Sequence, residues 1–131
     1  MNWVEKLDSS TRKKIFKYVG AENMENNYNN QEPKEFVELV MSVKNWGEMK
    51  GIVDHQSQFM KTVEELGELS SAILKQDKQK EIDSFGDVLV CLIILMNIRK
   101  LTLHECLQAA YEEISKRKGA VNSEGSFIKE E

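Results

Sequence analysis

The sequence is poor in the residues that break or staple a fold, with one proline, seven glycines and two cysteines in 131 residues. Cys91 and Cys106 lie in apolar helical positions without the spacing of metal ligands, so we interpret both as reduced core residues. The polar amino terminus lacks the pattern of a signal peptide. The apolar run 88–96 is far too short to span a bilayer. We therefore expect a cytoplasmic protein with no membrane partner.

Several binding and catalytic patterns are also missing. The net charge is −4, and no basic face or aromatic stacking pattern appears, which argues against a nucleic-acid partner. There is no P-loop and no Ser/His/Asp set. His55 and His104 each lie near a predicted helix start, where we interpret them as structural. The absence of Glu-x-x-His motifs argues against a di-iron bundle.

The remaining composition, with 31% charged residues, is typical of an all-α protein with one core of moderate size. Residues 1–32 are predicted to form an amino-terminal helical appendage that ends in a linker at 20–32. Residues 33–119 are predicted to form a helical core of the four-helix type, and residues 120–131 a tail. No strand is predicted. The predicted helices cover 33–46, 56–75, 80–100 and 102–118. The first begins at Pro33, and the pattern breaks at 47–54. The last begins with a Thr102–Glu105 capping box and ends before a C-cap at Gly119.

An acidic stretch, Glu64-Glu65-Leu66-Gly67-Glu68, lies in the second predicted helix. At about 100° per residue its three glutamates gather on one flank, where like charges are neighbours. Lys61 is the nearby cation that relieves their repulsion. An ordinary solvated acidic face is the alternative interpretation at this point. The apolar stripe of the same helix is predicted to consist of Phe59, Val63, Leu66, Leu69 and Ile73.

A second acidic pair, Asp83 and Asp87, lies in the next helix. These aspartates share a face with Val90, Cys91 and Ile94, so the pattern places carboxylates on the apolar side of the helix. A buried carboxylate must be paired, protonated or bound to a metal. Two acidic helical faces therefore predict a Mg²⁺ or Mn²⁺ site between two packed helices, since hard oxygen ligands favour these ions. The apolar run 88–96 further predicts burial against a second subunit.

A metal site of this kind favours one type of chemistry. Magnesium held by carboxylates generally shares its remaining positions with phosphates and water. It can neutralise phosphate charge and activate a water for in-line attack. The residues therefore favour hydrolysis of a phosphate ester or anhydride.

The two acidic stretches resemble the Glu-Glu-x-x-Glu and Glu-x-x-Asp motifs of the MazG-like all-α nucleoside triphosphate pyrophosphohydrolases. The second motif is represented here by Asp83-Ser84-Phe85-Gly86-Asp87. The resemblance extends through 46–51, Lys61, 105–119 and 125–129, and it covers roughly residues 35–131. It is closest in type to the short, single-domain proteins common in phages and Gram-positive bacteria.

This resemblance implies a dimer or dimer of dimers of helical bundles that binds Mg²⁺ and cleaves a nucleoside triphosphate to the monophosphate and pyrophosphate. By motif position, Glu65, Glu68 and Asp87 are the expected metal ligands. Glu64 is expected to be a further ligand or the group that orients the attacking water. For three cations, both phosphate binding and an ordinary solvated or paired side chain remain open: Lys61, Lys116 and Arg117.

One position departs from the family motif, because Ser84 stands where the second motif has glutamate. Asp83 is the natural substitute ligand, since it lies one turn before Asp87 on the same face. A shorter, displaced ligand favours a second hypothesis, a binding module that sequesters a nucleotide or a protein partner. The intact glutamate triplet favours the enzyme, because a bundle without a site gains nothing from its repulsion.

Overall fold

Four helices and then a short two-stranded sheet follow one another in the computed structural model, which describes residues 35–131. The elements are α1 (Phe36–Met49), α2 (His55–Leu74), α3 (Lys78–Ile98), α4 (Leu103–Ile114), β1 (Gly119–Val121) and β2 (Phe127–Lys129). Helices hold 69% of the described residues, which confirms the prediction of a mostly helical fold. No helix between residues 35 and 131 is both long and apolar enough to cross a membrane. The predictions for residues 1–32 and for Pro33 lie outside the described residues.

Polar side chains determine where three of the helices begin. Asp54, Asp77 and Thr102 are the N-caps of α2, α3 and α4, and each side-chain oxygen accepts a bond from the backbone N–H three residues on, at 2.8, 3.2 and 3.1 Å. Such caps satisfy donors that have no partner within the helix. The Thr102 hydroxyl also donates to the Glu105 carboxylate at 2.9 Å. The predicted pairing of these two residues at the start of α4 is therefore confirmed.

Helix α1 continues to Met49, past its predicted end at residue 46. Gly47 is buried where α1 packs on α3, and a Cβ built on this glycine would lie 3.0 Å from Ile94 Cγ1. The predicted break at Gly47 is therefore wrong, because this glycine permits a close approach of two helices and does not end one. The chain turns instead at Gly51, whose φ is +72°.

The carboxyl-terminal segment departs most from the prediction. Helix α4 ends at Ile114, before the predicted end at residue 118, and Gly119 is not a C-cap but the first residue of β1. Strand β1 pairs with β2 in antiparallel register, with Gly119 opposite Lys129. Asn122 Oδ1 closes the turn by accepting from two later backbone N–H groups at 3.0 and 2.9 Å. The tail is a β-hairpin, and its three-residue strands are too short to show a period of two in the sequence.

Helices α2 and α3 form a hairpin across a short turn and make the most extensive contact between elements in the described chain. On α2, the buried side has a spacing of four and three residues, which is typical of two packed helices. This hairpin seam consists, on α2, of Gln58, Thr62, Glu65, Leu69 and Ala72. Its residues on α3 are Ser84, Val88 and Cys91.

The apolar stripe predicted on α2 is mostly outside the core. Leu69 is buried as predicted, whereas the other four residues of the stripe are about half exposed. Each of these four lies one residue after a seam residue, and exposed apolar residues of α3 do the same. In an antiparallel pair, such positions lie on the same side of both helices. The hairpin therefore carries one apolar flank, consisting of Phe59, Val63, Leu66, Ile73, Phe85, Leu89 and Leu92.

Candidate functional site

The register between α2 and α3 brings Glu65 level with Ser84. Gln58 Nε2 donates to the Cys91 carbonyl oxygen at 3.2 Å, which places these two residues at one level of the hairpin. Glu65 is seven residues after Gln58, and Ser84 is seven residues before Cys91. Because the helices are antiparallel, both steps move two turns in the same direction. The central glutamate of the first motif and the serine of the second therefore meet in the seam.

Glu65 is the one acidic side chain of either motif that is buried, with 9% of its side chain exposed. Its Oε1 lies 2.9 Å from Lys61 Nζ. Its Oε2 is buried and has no hydrogen-bond partner. A buried carboxylate oxygen without a partner costs about 1–3 kcal/mol. This oxygen therefore lacks the hydrogen-bond donor or cation that would stabilise it.

Lys61 balances part of the negative charge. Its Nζ also lies 3.1 Å from Glu64 Oε1, so one ammonium contacts two carboxylates. Hydrogen bonds to Glu65 and then to Glu64 raise the pKa of Lys61 above its ordinary value. Lys61 is therefore cationic throughout the physiological pH range.

Lys61 and the remaining acidic residues of the two motifs lie on the side opposite the apolar flank. Each precedes a seam residue by one position, and such positions share one side of an antiparallel pair. All of them are exposed. This acidic flank consists of Lys61, Glu64, Glu68, Asp83 and Asp87.

The Cys91 thiol shows that charges from both helices converge near the seam. Burial raises the pKa of this thiol, and the carboxylates of Glu65, Asp87 and Glu64 raise it further because they repel a thiolate. Lys61 acts in the opposite direction. Carboxylates of α2 and α3 thus act on the same atom, which supports one site built from both helices. Cys91 is buried, as predicted, whereas Cys106 is only partly buried.

The structure corrects the predicted placement of the aspartates. Asp83 and Asp87 were expected to point toward the interior, but both are exposed in the single chain. Asp83 Oδ1 accepts from Gln79 Nε2 at 3.3 Å. The buried residue at this turn is Ser84, because the seam runs one residue further along than the predicted face.

Lys116 and Arg117 lie in another part of the structure. They line an open cavity of about 430 Å³ together with Lys118, Lys129 and three glutamates of α4 and the carboxyl-terminal end. None of the acidic-flank residues lines this cavity. A single chain therefore separates these two predicted phosphate ligands from the predicted metal ligands.

Sequence reasoning missed the polar residues of the seam. Gln58 and Thr62 are buried beside Glu65, and the Thr62 hydroxyl donates to the Gln58 carbonyl oxygen at 2.9 Å. Their spacing with Leu69 and Ala72 was the available signal. It was overlooked because polar residues rarely form the buried side of a helix.

The residues present suit a hard divalent cation, although they do not enclose one. Within residues 35–131, no group of three or more His, Cys, Asp or Glu side chains already forms a metal cage. The structure provides the buried, unpartnered Oε2 of Glu65, with Glu64, Glu68 and Asp87 on the adjoining flank. Carboxylate oxygens are the donors that Mg²⁺ prefers. The fit therefore depends on exposed carboxylates turning toward one buried carboxylate.

The helical fold and the acidic flank together define a class of protein, an all-α domain with carboxylates gathered along two packed helices. The model of the MazG nucleotide pyrophosphohydrolase domain matches residues 53–122, more than half of the 131 residues. The chain belongs to this family, as the motif resemblance predicted.

One similar protein comes from Haemophilus phage HP1 (strain HP1c1), where it is described as an uncharacterized 18.2 kDa protein in the rep-hol intergenic region. It is 36% identical over 61 residues, which cover 44% of this chain and 37% of that protein. The shared segment thus spans little more than a third of this relative. No solved structure matches the chain.

Proposed function

We propose that this protein is a Mg²⁺-dependent nucleoside triphosphate pyrophosphohydrolase, which cleaves (d)NTP to (d)NMP and pyrophosphate and so controls the nucleotide pool. The observation that carries the proposal is the buried, unpartnered Oε2 of Glu65 inside a MazG domain. A divalent cation supplies the partner that this oxygen lacks. Manganese is expected to substitute, since it accepts the same oxygen ligands.

The metal ligands follow from their place on the hairpin. Glu65 is held by burial and forms the fixed point of the site. Glu68 on the same helix and Asp87 on the facing helix are the proposed further ligands. Asp83, one turn before Asp87 on the acidic flank, takes the place of the glutamate that Ser84 replaces. When bound, Mg²⁺ neutralises phosphate charge and lowers the pKa of a coordinated water.

Glu64 is the proposed group that orients the attacking water. It is 59% exposed at the side chain, and one carboxylate oxygen is engaged by Lys61. The second oxygen can therefore accept a hydrogen bond from a water on the acidic flank. Attack of this water on the α–β phosphoanhydride breaks a P–O bond to the bridging oxygen and yields the monophosphate and pyrophosphate. Lys61 is the proposed phosphate ligand of the same subunit.

A second copy of the chain is proposed to cover the apolar flank. Monomeric proteins rarely expose a contiguous apolar surface of this kind, and seven large apolar residues contribute to it. Self-association through a symmetric, isologous contact buries the same residues in both copies. A second copy is also the proposed route by which Lys116 and Arg117 reach an acidic flank.

This assembly is testable with one charged substitution. Leu89→Glu places a charge on the apolar flank and is expected to shift the protein to monomers in sedimentation velocity. Met49→Glu is the matched control, because Met49 is 81% exposed on α1 and outside the flank. An unchanged oligomer in the Leu89 variant would show that the flank is not the contact.

The enzymatic proposal is tested by pyrophosphate release from a panel of ribo- and deoxyribonucleoside triphosphates with Mg²⁺ or Mn²⁺. Release is expected with the native protein and is expected to disappear in Glu68→Ala and Asp87→Asn, with helical circular dichroism unchanged. Glu112→Gln is the control, since this exposed carboxylate of α4 accepts from Gln108 on the same helix and lies outside both acidic motifs. Full activity of the Asp87 variant would contradict the proposed site. Nucleotide binding without release would identify a sequestering module instead.

A further inference from the structure

Lys61 lies where a metal ion would be expected to bind. Its ammonium contacts Glu65 at 2.9 Å and Glu64 at 3.1 Å, and both partners belong to the proposed site. We propose that Lys61 is a built-in counter-ion, which holds these two carboxylates together in the metal-free protein and is displaced when Mg²⁺ binds. This inference rests on the proposed function and assigns Lys61 a role in regulating the site.

The first argument is charge balance. Lys61 brings one positive charge to two carboxylates, and Glu68 adds a third negative charge one turn along the helix. Like charges at this spacing destabilise a helix. A single ammonium therefore leaves the cluster with a net negative charge. The buried Oε2 of Glu65 also remains without a hydrogen-bond partner. A divalent ion meets this need more fully than the lysine does.

The second argument is that the two cations compete for the same carboxylates. Mg²⁺ requires near-octahedral oxygen ligands at about 2.0–2.1 Å. Glu65 Oε1 is already engaged by the ammonium, and two cations crowded onto one carboxylate pair repel each other strongly. Binding of the metal to Glu65, beside Glu64, therefore requires Lys61 to leave.

The third argument concerns which group can move. Lys61 has 47% of its side chain exposed, whereas the Glu65 side chain has 9% exposed. A lysine is a flexible four-carbon stem with a strongly hydrated head, so it can turn into solvent. Glu65 is held in the seam. The lysine is therefore the mobile partner, and the carboxylate is the fixed one.

Displacement gives Lys61 a second role. The freed ammonium stays on the acidic flank, one turn before Glu65, where a nucleotide bound through the metal presents its phosphates. Phosphate oxygens then replace the carboxylates that the lysine has lost. Mg²⁺ alone must break two ion pairs, whereas Mg²⁺ with nucleotide offers the lysine a new partner. We therefore expect Mg²⁺ and a triphosphate to bind cooperatively, each strengthening the other by the same factor.

Calorimetric titration of the full chain with MgCl₂ alone tests the competition. Lys61→Met removes the charge and keeps the length of the apolar stem. It is expected to lower the Mg²⁺ dissociation constant about threefold to tenfold, because the metal no longer has to break two ion pairs of a half-exposed lysine. The metal-free variant is also expected to melt below the native protein, and saturating Mg²⁺ is expected to close this gap. Lys78→Met is the matched control, because Lys78 also pairs with a glutamate on its own helix, Glu81 at 2.7 Å, which is not one of the proposed metal ligands.

Each result has a separate meaning. Tighter Mg²⁺ binding by the Lys61 variant than by the Lys78 variant supports displacement, including the case in which the native protein binds no Mg²⁺ alone. Equal or weaker binding by the Lys61 variant, beside a native protein that binds Mg²⁺, overturns the inference and leaves the proposed metal site intact. Absence of Mg²⁺ binding in the native protein and in both variants overturns the inference and the metal site together.

Discussion

Substitution of Glu65 tests how much its buried carboxylate destabilises the metal-free protein. Glu65→Met replaces the buried carboxylate with an unbranched apolar side chain of similar length. In the native protein Oε2 is buried without a partner, which costs about 1–3 kcal/mol. Against this, the substitution also removes the ion pair of Oε1 with the half-exposed Lys61, which solvent screens and which Glu64 still partly replaces. The substitution is therefore expected to stabilise the metal-free protein by roughly 1–2 kcal/mol.

Thermal unfolding in the presence of a chelator measures this effect. For a domain of this size the gain corresponds to a rise in Tm of about 3–10 °C. Protein concentration must be held constant, because self-association also shifts Tm. Addition of Mg²⁺ is expected to raise the Tm of the native protein and to leave that of Glu65→Met unchanged, since binding to the native state alone stabilises it. In that case the buried carboxylate lowers the stability of the metal-free protein and provides a ligand for the metal.

Glu68→Met is the matched control, because it removes an exposed carboxylate one turn further along the same helix. It is expected to change the stability of the metal-free protein by less than about 0.5 kcal/mol, as is usual for surface positions. If Glu65→Met melts below the native protein in chelator, the carboxylate is well accommodated by its surroundings. The reasoning from an unpartnered oxygen would then be refuted.

Three further predictions concern the fold around the site. Gly47→Ala gains about 1 kcal/mol of helix propensity, but crowding against Ile94 at 3.0 Å costs about 1–3 kcal/mol. Tm is therefore expected to fall, and to fall less when the same substitution is made in an Ile94→Ala background. Hydrogen bonds from Ser57 lower the pKa of the Asp54 cap, so its stabilisation is present above the unfolded pKa and lost as the pH falls through the lower folded pKa. Asp54→Asn keeps a cap without this titration, and its Tm is expected to fall less than that of the native protein between about pH 5 and 3. Ser84→Glu places a second carboxylate in the seam and is expected to lower Tm in chelator by several degrees, with recovery in Mg²⁺; an unchanged Tm in chelator would show that this position is not buried beside a charge.

Local patterns in the sequence were sufficient to predict the four described helices, although not where α1 and α4 end. The capping residue Thr102 and the apolar periodicity each depend on neighbours within one turn, so they could be read without a tertiary structure. The two acidic motifs could be read in the same way, and they led to the family that the domain match confirms. The roles of Glu64, Glu65, Glu68, Asp83 and Asp87 remain predictions that the proposed assays test.

The tertiary structure decided which side of each helix is buried. Periodicity places Leu66 and Leu69 on one apolar stripe of α2 but does not say which residues of that stripe meet α3. The buried side of α2 includes Gln58 and Thr62, each one residue before a member of the predicted apolar stripe. One reason is that the Gln58 side chain donates to a backbone carbonyl of α3. This shift by one residue buries Glu65 and exposes both aspartates. The sequence thus determined that carboxylates of two helices gather together, and the packing of the helices determined which one is buried without a partner.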